Sequence, residues 1–232
     1  MTSDPQVEIF KQNWATYQKL IAHNYMFHRQ RNEQTDRIIR ALSKKDKINI
    51  LDLGCGDAYW VKSLSSQENI KSYSGIDLSP AALEIAQLNL TQFDFDTKLL
   101  TGRMEDLIQV DERRFQLIYS AYAIHHLQDE IKLGILNEVY NRLYDDGICI
   151  LIDVYRKPGQ SREDYLHEYI TCIQECWTAL EPQELSLIIS HIQQYDFPAQ
   201  LNNVRSWAET IGFKIDQAET LDDYHHMLIL SK

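Results

Sequence analysis

Long apolar stretches are missing from this chain of 232 residues. The longest uninterrupted run, Ile148–Ile152, has about five residues, whereas a helix that spans a membrane needs roughly 20. The first residues, MTSDPQVEIFKQN, also lack the charged start and apolar core of a secretion signal. We therefore expect no membrane partner and a cytoplasmic location.

Positive charge is scarce, with 23 Lys and Arg residues against 34 Asp and Glu residues and a net charge of −11. Because neutralisation of phosphates supplies most of the non-specific affinity for nucleic acids, we expect no nucleic-acid partner. One basic stretch does occur, but acidic residues interrupt it, and it is therefore typical of a solvated helix face. Its members are His28, Arg29, Arg31, Arg37, Arg40, Lys44, Lys45 and Lys47.

The four cysteines form neither a CxxC pair nor a regular framework, so we expect reduced thiols. Cys172 and Cys176 would share one face of a helix. A metal or arsenic site is conceivable there, but simple packing is favoured.

The chain from residue 48 onward alternates short apolar runs with helical patterns. In "DLSPAALEIAQLNL", Ser79 is a typical N-cap and Pro80 a typical first helical residue. A second helix is predicted over Asp129–Leu143, and Gly147 after it suits a left-handed turn. The predicted strands are Ile48–Leu53, Ser72–Asp77, Thr97–Thr101, Phe115–Ser120, Ile148–Asp153, Phe213–Gln217 and Tyr224–Leu230.

This pattern predicts one α/β domain over residues 1–232, with five parallel strands in a doubly wound sheet. Only "AETLDD" separates the last two strands, so they must form an antiparallel hairpin. Ligands bind at the carboxyl edge of such sheets. The predicted parts are N-terminal helices over 1–45 with a break near His23–Asn24, a cofactor-binding core over 48–153, a helical cap over 154–203, and a last helix with the hairpin over 204–232.

The segment "ILDLGCGDAYW", residues 50–60, is a strand that ends in a glycine turn, which is typical of sites for adenosine-containing cofactors. A turn that binds NAD needs a small third residue, but the bulky Tyr59 stands there. Asp52 and Asp57 would repel a pyrophosphate and attract a cationic cofactor. The turn therefore favours S-adenosylmethionine, and a nucleotide-dependent oxidoreductase is the less favoured alternative.

A second carboxylate follows at the end of the second predicted strand, in "YSGIDLSP". Asp77 lies 21 residues beyond Gly56, a spacing at which a carboxylate can bind both hydroxyls of a ribose. Leu78 can then cover one face of an adenine.

Five segments in order resemble the successive motifs of the class I S-adenosylmethionine-dependent methyltransferases. They are "ILDLGCGDA", "SGIDLSPAAL", "GRMEDL", "FQLIYSAYAIHHL" and "NRLYDDGICILID". The resemblance implies a Rossmann-like seven-stranded sheet and S-adenosylmethionine as cofactor, with S-adenosylhomocysteine as its product.

The resemblance also implies roles for individual residues. In the glycine turn, Gly54, Cys55 and Gly56 would lie against the methionine part of the cofactor, with Asp52 supporting the turn. Farther along, Asp77 would bind the ribose. Leu78, Met104 and Glu105 would contact the adenine, and Ser120 would contact the methionine carboxylate or amine. The usual Asp of the third motif is replaced by Arg103, which leaves Glu105 or Asp106 as the acceptor for adenine.

Methyl transfer depends mainly on positioning, and a general base helps only if the acceptor must lose a proton. His125, followed by His126, is the first candidate base, because it follows the fourth strand, although an imidazole that caps the next helix or packs would explain the pair equally well. His191 in the cap, near Tyr195 and Asp196, is the second, although a surface turn before Pro198 would explain that segment.

Three residues of the N-terminal helices, Tyr17, Tyr25 and His28, can roof the cofactor, and amphipathic packing would explain them equally well. No metal is expected, because Tyr119–Tyr122 end the fourth strand without an aspartate, and Asp153 alone is not a magnesium site.

We expect a methyltransferase that acts on a small-molecule acceptor, as a monomer or homodimer. The alternative from another class is a methyltransferase-like module that binds the cofactor without catalysis, as a sensor or partner subunit.

Overall fold

The structure, a computed structural model, describes residues 14–109 and 113–232. Its centre is a seven-stranded sheet with the strand order β3-β2-β1-β4-β5-β7-β6. The strands are β1 (Ile48–Leu53), β2 (Ile70–Asp77), β3 (Asp96–Thr101), β4 (Phe115–Ala121), β5 (Leu143–Val154), β6 (Lys214–Thr220) and β7 (His225–Ser231).

The first five strands pair in parallel, and β7 pairs antiparallel with both β5 and β6. The order reverses between β1 and β4, so the carboxyl ends of these two strands border the crevice in which α/β sheets bind ligands. The Rossmann-like sheet with its antiparallel C-terminal hairpin, predicted from the sequence, is confirmed.

The helices connect the strands and cover both faces of the sheet. Ser79 caps α4, since its Oγ accepts a hydrogen bond from the Ala82 amide at 3.2 Å, and Pro80 is the first helical residue. The helices are α1 (Trp14–Ala22), α2 (His28–Leu42), α3 (Tyr59–Lys62), α4 (Pro80–Leu90), α5 (Asp129–Arg142), α6 (Arg162–Cys176), α7 (Pro182–Tyr195) and α8 (Leu201–Ile211).

The predicted break in the N-terminal helical segment lies between α1 and α2, where Asn24 and Phe27 take left-handed backbone conformations. Residues 5–13 of that predicted segment lie outside the described residues. None of the helices that the structure describes has the length and the apolar content to cross a membrane.

Gly147 does not form the left-handed turn predicted after α5. The helix ends at Arg142, and β5 follows at once and includes Gly147. A Cβ there would lie 2.9 Å from the Tyr144 carbonyl oxygen and 3.1 Å from that of Phe115. The glycine is therefore needed for close approach of backbone segments, not for a positive φ.

The segment between β5 and α8 covers the carboxyl edge of the sheet together with α1. Side chains of α6 and α7 share a buried apolar cluster with Leu20 of α1 and Val154 at the end of β5. Lys19 of α1 pairs with Glu184 of α7 at 2.7 Å, and the Tyr25 ring stacks on Trp177 at 5.3 Å. These contacts close a cavity over the strand ends.

Candidate active site

A cavity of about 480 Å³ lies between the carboxyl ends of β1, β2 and β4 and the covering helices. Its floor is formed by the glycine turn after β1, by the end of β2 and by the segment after β3. Its roof comes from α1, α2, α6 and α7. This volume is within the range of sites that bind small ligands.

The glycine turn brings the backbone to the cavity wall. Gly54 has a φ of 70°, and a Cβ on it would lie 2.3 Å from the Cβ of Ala123, so only glycine fits. Gly56 also has a positive φ, of 52°, and a Cβ on it would meet no atom within 4 Å. The turn thus leaves open space beside Gly56, and Cys55 lines the same wall.

Asp77 at the end of β2 is fixed by backbone donors. Its Oδ2 accepts from the Gly56 amide and its Oδ1 from the Ser79 amide, each at 2.8 Å. Burial raises the pKa of this carboxyl, while the backbone hydrogen bonds act in the opposite direction. The carboxylate is therefore oriented at the point where the sequence predicts a ribose.

Two further carboxylates lie close to the glycine turn. Asp52 is 1 % exposed and accepts hydrogen bonds from Trp60 Nε1 at 2.7 Å and from the Tyr73 hydroxyl at 2.5 Å. Burial raises its pKa to about 7, and burial also raises the pKa of Asp57 to about 6. The cavity floor therefore favours a cationic ligand over a phosphate.

Arg31 of α2 lines the cavity, although the sequence placed it on a solvated helix face. It is 4 % exposed, and its guanidinium carbon lies 5.3 Å from the centroid of the Tyr122 ring. Among the described side chains, its Nε has no hydrogen-bond partner and no carboxylate forms an ion pair with it. His28 is buried as well, so the prediction was wrong for both residues.

The helical spacing of residues around Arg31 could have predicted its burial, but the prediction of a solvated face considered only its charge. Arg31 lies three residues after His28, four before Thr35 and seven before Ile38, so these residues share one helix face. All four are buried.

The remaining predicted cofactor residues divide into two groups. Tyr17, Leu78, Met104 and Glu105 line the cavity, and Glu105 pairs with Arg103 at 3.2 Å. Ser120 does not line it: the side chain is buried, and its Oγ donates to the Leu53 carbonyl oxygen at 2.9 Å. Because side chains alternate along β4, Tyr119 and Ala121 face the cavity instead of Ser120.

Both predicted histidines reach the cavity from different segments. His125 follows β4, and its Nδ1 lies 2.5 Å from Oδ1 of Asp153, while its Nε2 lies 3.6 Å from Oδ1 of Asp196. Burial alone would lower the pKa of His125, but the two carboxylates outweigh it and raise the pKa to about 9. Both ring nitrogens of His125 thus face carboxylates.

His191 of α7 stands at the same end of the cavity. Its ring contacts that of His126 edge-on, with 5.2 Å between centroids, and its buried Nδ1 has no hydrogen-bond partner in the part of the chain that the structure describes. Burial lowers its pKa to about 4. Asp196 is 3 % exposed, so the alternative of a surface turn in this segment was wrong.

Residues 50–147 match the protein family described as "Methyltransferase domain". The matched segment contains the glycine turn and Asp77, and the strand order around it is that of a Rossmann-like methyltransferase sheet. Residues 50–147 thus carry a methyltransferase domain, and the fold around them is that of the class I S-adenosylmethionine-dependent methyltransferases. These findings support the family predicted from the sequence.

Solved structures of methyltransferases share the fold over most of this chain. A TehB-like S-adenosylmethionine-dependent methyltransferase from Corynebacterium glutamicum has a TM-score of 0.59 and 16 % identity, with 98 % of each chain covered. Magnesium protoporphyrin IX methyltransferase from Synechocystis, solved with bound S-adenosylhomocysteine, has a TM-score of 0.61 and 15 % identity, with 88 % of this chain and 84 % of that chain covered. At these identities, the likeness establishes the fold alone.

Among curated proteins, carboxy-S-adenosyl-L-methionine synthase from Campylobacter hominis is 24 % identical over 149 residues, which are 62 % of this chain and 60 % of that protein. Ubiquinone biosynthesis O-methyltransferase from Alkalilimnicola ehrlichii is 27 % identical over 94 residues, which are 40 % of this chain and 37 % of that protein. The chain thus spans less than two thirds of the length of these relatives.

Proposed function

We propose that this protein transfers the methyl group of S-adenosylmethionine to a small-molecule acceptor. The observation that carries the proposal is the group of carboxylates around the glycine turn, in which Asp52 and Asp57 are buried and Asp77 is half-buried. Such a group attracts the sulfonium and ammonium charges of this cofactor and repels a pyrophosphate.

In this proposal, the cofactor lies along the cavity floor. Asp77 takes the ribose hydroxyls, Leu78 and Met104 flank the adenine, and the backbone of the glycine turn faces the methionine part. Arg31 of α2 binds the methionine carboxylate, because a buried guanidinium that pairs with none of the described carboxylates gains charge-assisted hydrogen bonds from it.

The acceptor would occupy the part of the cavity under α6 and α7. Large apolar and aromatic side chains line that part, among them Tyr122, Tyr169, Trp177, Ile188 and Ile192. A roof of helices suits a compact acceptor with an apolar body. Positioning and exclusion of water then supply most of the catalysis.

A general-base role for His125 or His191 stays a prediction, as do a cytoplasmic location and a monomeric or homodimeric state. Among the described residues, His191 Nδ1 has no hydrogen-bond partner.

The cofactor assignment can be tested by calorimetry with S-adenosylhomocysteine. Loss of a charge-assisted contact costs about 1.5–3 kcal/mol, so Asp77→Ala should weaken binding at least about tenfold. Asp94→Ala serves as the matched control, because Asp94 is exposed and does not line the cavity. Equal affinity in the Asp77 variant, or tighter binding of NAD by the unaltered protein, would refute the assignment.

The transfer reaction can be followed with S-adenosylmethionine that carries a labelled methyl group, incubated with fractions of a cell extract. We expect label in the low-molecular-mass fraction. Label only in protein or nucleic acid would refute the small-molecule acceptor. Tight cofactor binding without any transfer would instead favour the non-catalytic module.

A further inference from the structure

Two histidines and an aspartate from distant segments face one another at one end of the cavity. His125 and His126 follow β4, and Asp196 follows α7. One ligand atom from each residue lies within 4.8 Å of the others, and the carboxylate oxygen of Asp196 is 3.6 Å from His125 Nε2 and 3.4 Å from His126 Nδ1.

These separations suit a bound cation. Bonds of about 2.0–2.2 Å in a tetrahedral arrangement place ligand atoms about 3.3 Å apart. We propose that His125, His126 and Asp196 form a binding site for a divalent transition-metal ion, with an open coordination position on the cavity side. The donor set of two imidazoles and one carboxylate suits Zn²⁺, Fe²⁺ or Co²⁺ better than Mg²⁺, which prefers oxygen ligands.

The carboxylate beside Nδ1 of His125 is an independent observation that supports the site. Asp153 at the end of β5 faces His125 Nδ1 at 2.5 Å, and its other oxygen accepts from the His125 amide at 3.1 Å. Histidines that bind metals almost always donate their second N–H to such a carboxylate, which leaves the Nε2 lone pair free for the metal. Here Nε2 lies 3.6 Å from Oδ1 of Asp196.

Asp196 is the second independent observation. It is only 3 % exposed, and its Oδ1 has no hydrogen-bond partner among the described residues. A buried carboxylate oxygen without a partner is costly unless a cation neutralises it. The two imidazoles beside this oxygen supply the other ligands of such a cation.

The two segments of the cluster are also tied to each other. The Phe197 amide donates to the His125 carbonyl oxygen at 2.7 Å, and Lys132 Nζ bridges the carbonyl oxygens of Leu127 and Phe197 at 2.7 and 2.5 Å. Arg162 Nε donates to the Asp196 carbonyl oxygen at 2.7 Å. The ligands are therefore held in place, as a metal site requires.

The proposed metal site differs from the expectation, drawn from the sequence, that no metal is bound. That expectation considered only the residues at the end of β4 and Asp153, which the structure places behind His125 as the orienting carboxylate. If the proposed methyl transfer is correct, the open position would hold an acceptor through an oxygen or sulfur atom. This last consequence rests on the proposed function, whereas the metal site does not.

The test is a titration of metal-free protein with Co²⁺, followed by visible absorption, and then displacement by Zn²⁺. Cys172 and Cys176 should first be replaced by serine, because their sulfur atoms lie 3.9 Å apart and could bind the same ions. We expect saturation at one ion per chain. His126→Gln and Asp196→Asn should each weaken binding at least about tenfold, and Asp153→Asn about 10–100-fold.

The matched control is His167→Gln, since His167 is exposed on α6 and should leave the titration unchanged. Thermal unfolding shows whether each variant is folded, and His126, which is half-buried, offers the mildest change. Binding that is absent in the double-serine protein, or unaltered by both His126→Gln and Asp196→Asn, overturns the site. Calorimetry with S-adenosylhomocysteine on the metal-free protein tests the proposed function separately.

Discussion

Arg31 and the carboxylates around the glycine turn divide the cavity lining into regions of opposite charge. Asp52, Asp57 and Asp77 surround the glycine turn, whereas the Arg31 guanidinium comes from α2 in the roof. A ligand with a cationic centre and a carboxylate at one end matches both regions. The amino-acid end of S-adenosylmethionine has these charges.

Arg31→Gln should therefore weaken the binding of ligands that carry the methionine carboxylate and leave the binding of ligands without it almost unchanged. We expect at least tenfold weaker binding of S-adenosylhomocysteine, because a charge-assisted contact contributes about 1.5–3 kcal/mol. Binding of decarboxylated S-adenosylmethionine should change little. Calorimetry with both ligands measures the difference, and Arg29→Gln, an exposed residue of the same helix, is the control. Equal losses for both ligands would contradict a carboxylate contact.

Asp52 should make the stability of the cofactor-free protein depend on pH. Burial raises its folded-state pKa to about 7, so its contribution to stability is complete below its unfolded pKa and is lost as pH rises through about 7. Asp52→Asn keeps an oxygen for the Trp60 and Tyr73 donors. The stability gain of this variant should be larger at pH 8 than at pH 5, by roughly 2–3 kcal/mol. Urea denaturation at the two pH values measures it.

Asp36 is the control of opposite sign. Burial alone would raise its pKa, but hydrogen bonds from Ser66, Ser65 and Arg40 outweigh this and lower it. Its stabilising effect is therefore present above its unfolded pKa and is lost as pH falls through the lowered value. Asp36→Asn should destabilise the protein at pH 8. At pH 8, Asp52→Asn should be more stable than Asp36→Asn. If it is not, burial does not raise the pKa of Asp52 in the way described.

At the scale of elements, the end of α8 depends on one glycine. Gly212 has a φ of 119°, and a Cβ on it would lie 2.9 Å from the hydroxyl oxygen of Tyr140 on α5. Gly212→Ala should thus lower the free energy of unfolding by about 1 kcal/mol or more, because the native backbone conformation disfavours alanine.

Gly134 in the middle of α5 provides the matched comparison. It is exposed, and a Cβ on it would meet no atom within 4 Å. Gly134→Ala should raise the free energy of unfolding by about 0.5–1 kcal/mol, because alanine favours a helix more than glycine does. Denaturant titrations of both variants should therefore shift in opposite directions, and a shift in the same direction would contradict this account.

At the scale of the whole molecule, the charge of −11 opposes association with nucleic acids. We expect no salt-dependent retention of the protein on immobilised tRNA or duplex DNA near physiological ionic strength, because few phosphates would be neutralised. Electrophoretic mobility shifts at several salt concentrations provide a second measurement. Sub-micromolar affinity with a steep salt dependence would contradict both this expectation and the small-molecule acceptor.

The sheet and its main helices were accessible from the sequence because their signals are local. Ser79 and Pro80 mark the start of α4 within a few residues, and the short separation of β6 and β7 permits only a hairpin. The glycine turn and Asp77 were found for the same reason, since the strand ends bring them to one edge of the sheet.

The other features depend on contacts between distant segments. Ser120 was predicted from its position at the end of β4, but strand alternation turns its side chain toward Leu53. Arg31 is polar in the sequence and buried in the fold, because the face that it shares with Ile38 packs inward. Gly147 is needed because the carbonyl groups of Tyr144 and Phe115 lie too close to it for a side chain. The residues next to Gly147 in the sequence do not reveal this close approach.

By itself, the sequence indicated the methyltransferase motifs, the parallel strands with their antiparallel hairpin and the carboxylates of the glycine turn, because residues close in the chain encode each of them. Only the tertiary structure decided that His125 lies between Asp153 and Asp196, which come from β5 and from the segment after α7. No local pattern records that arrangement, since packing of the cap against the edge of the sheet brings these side chains together.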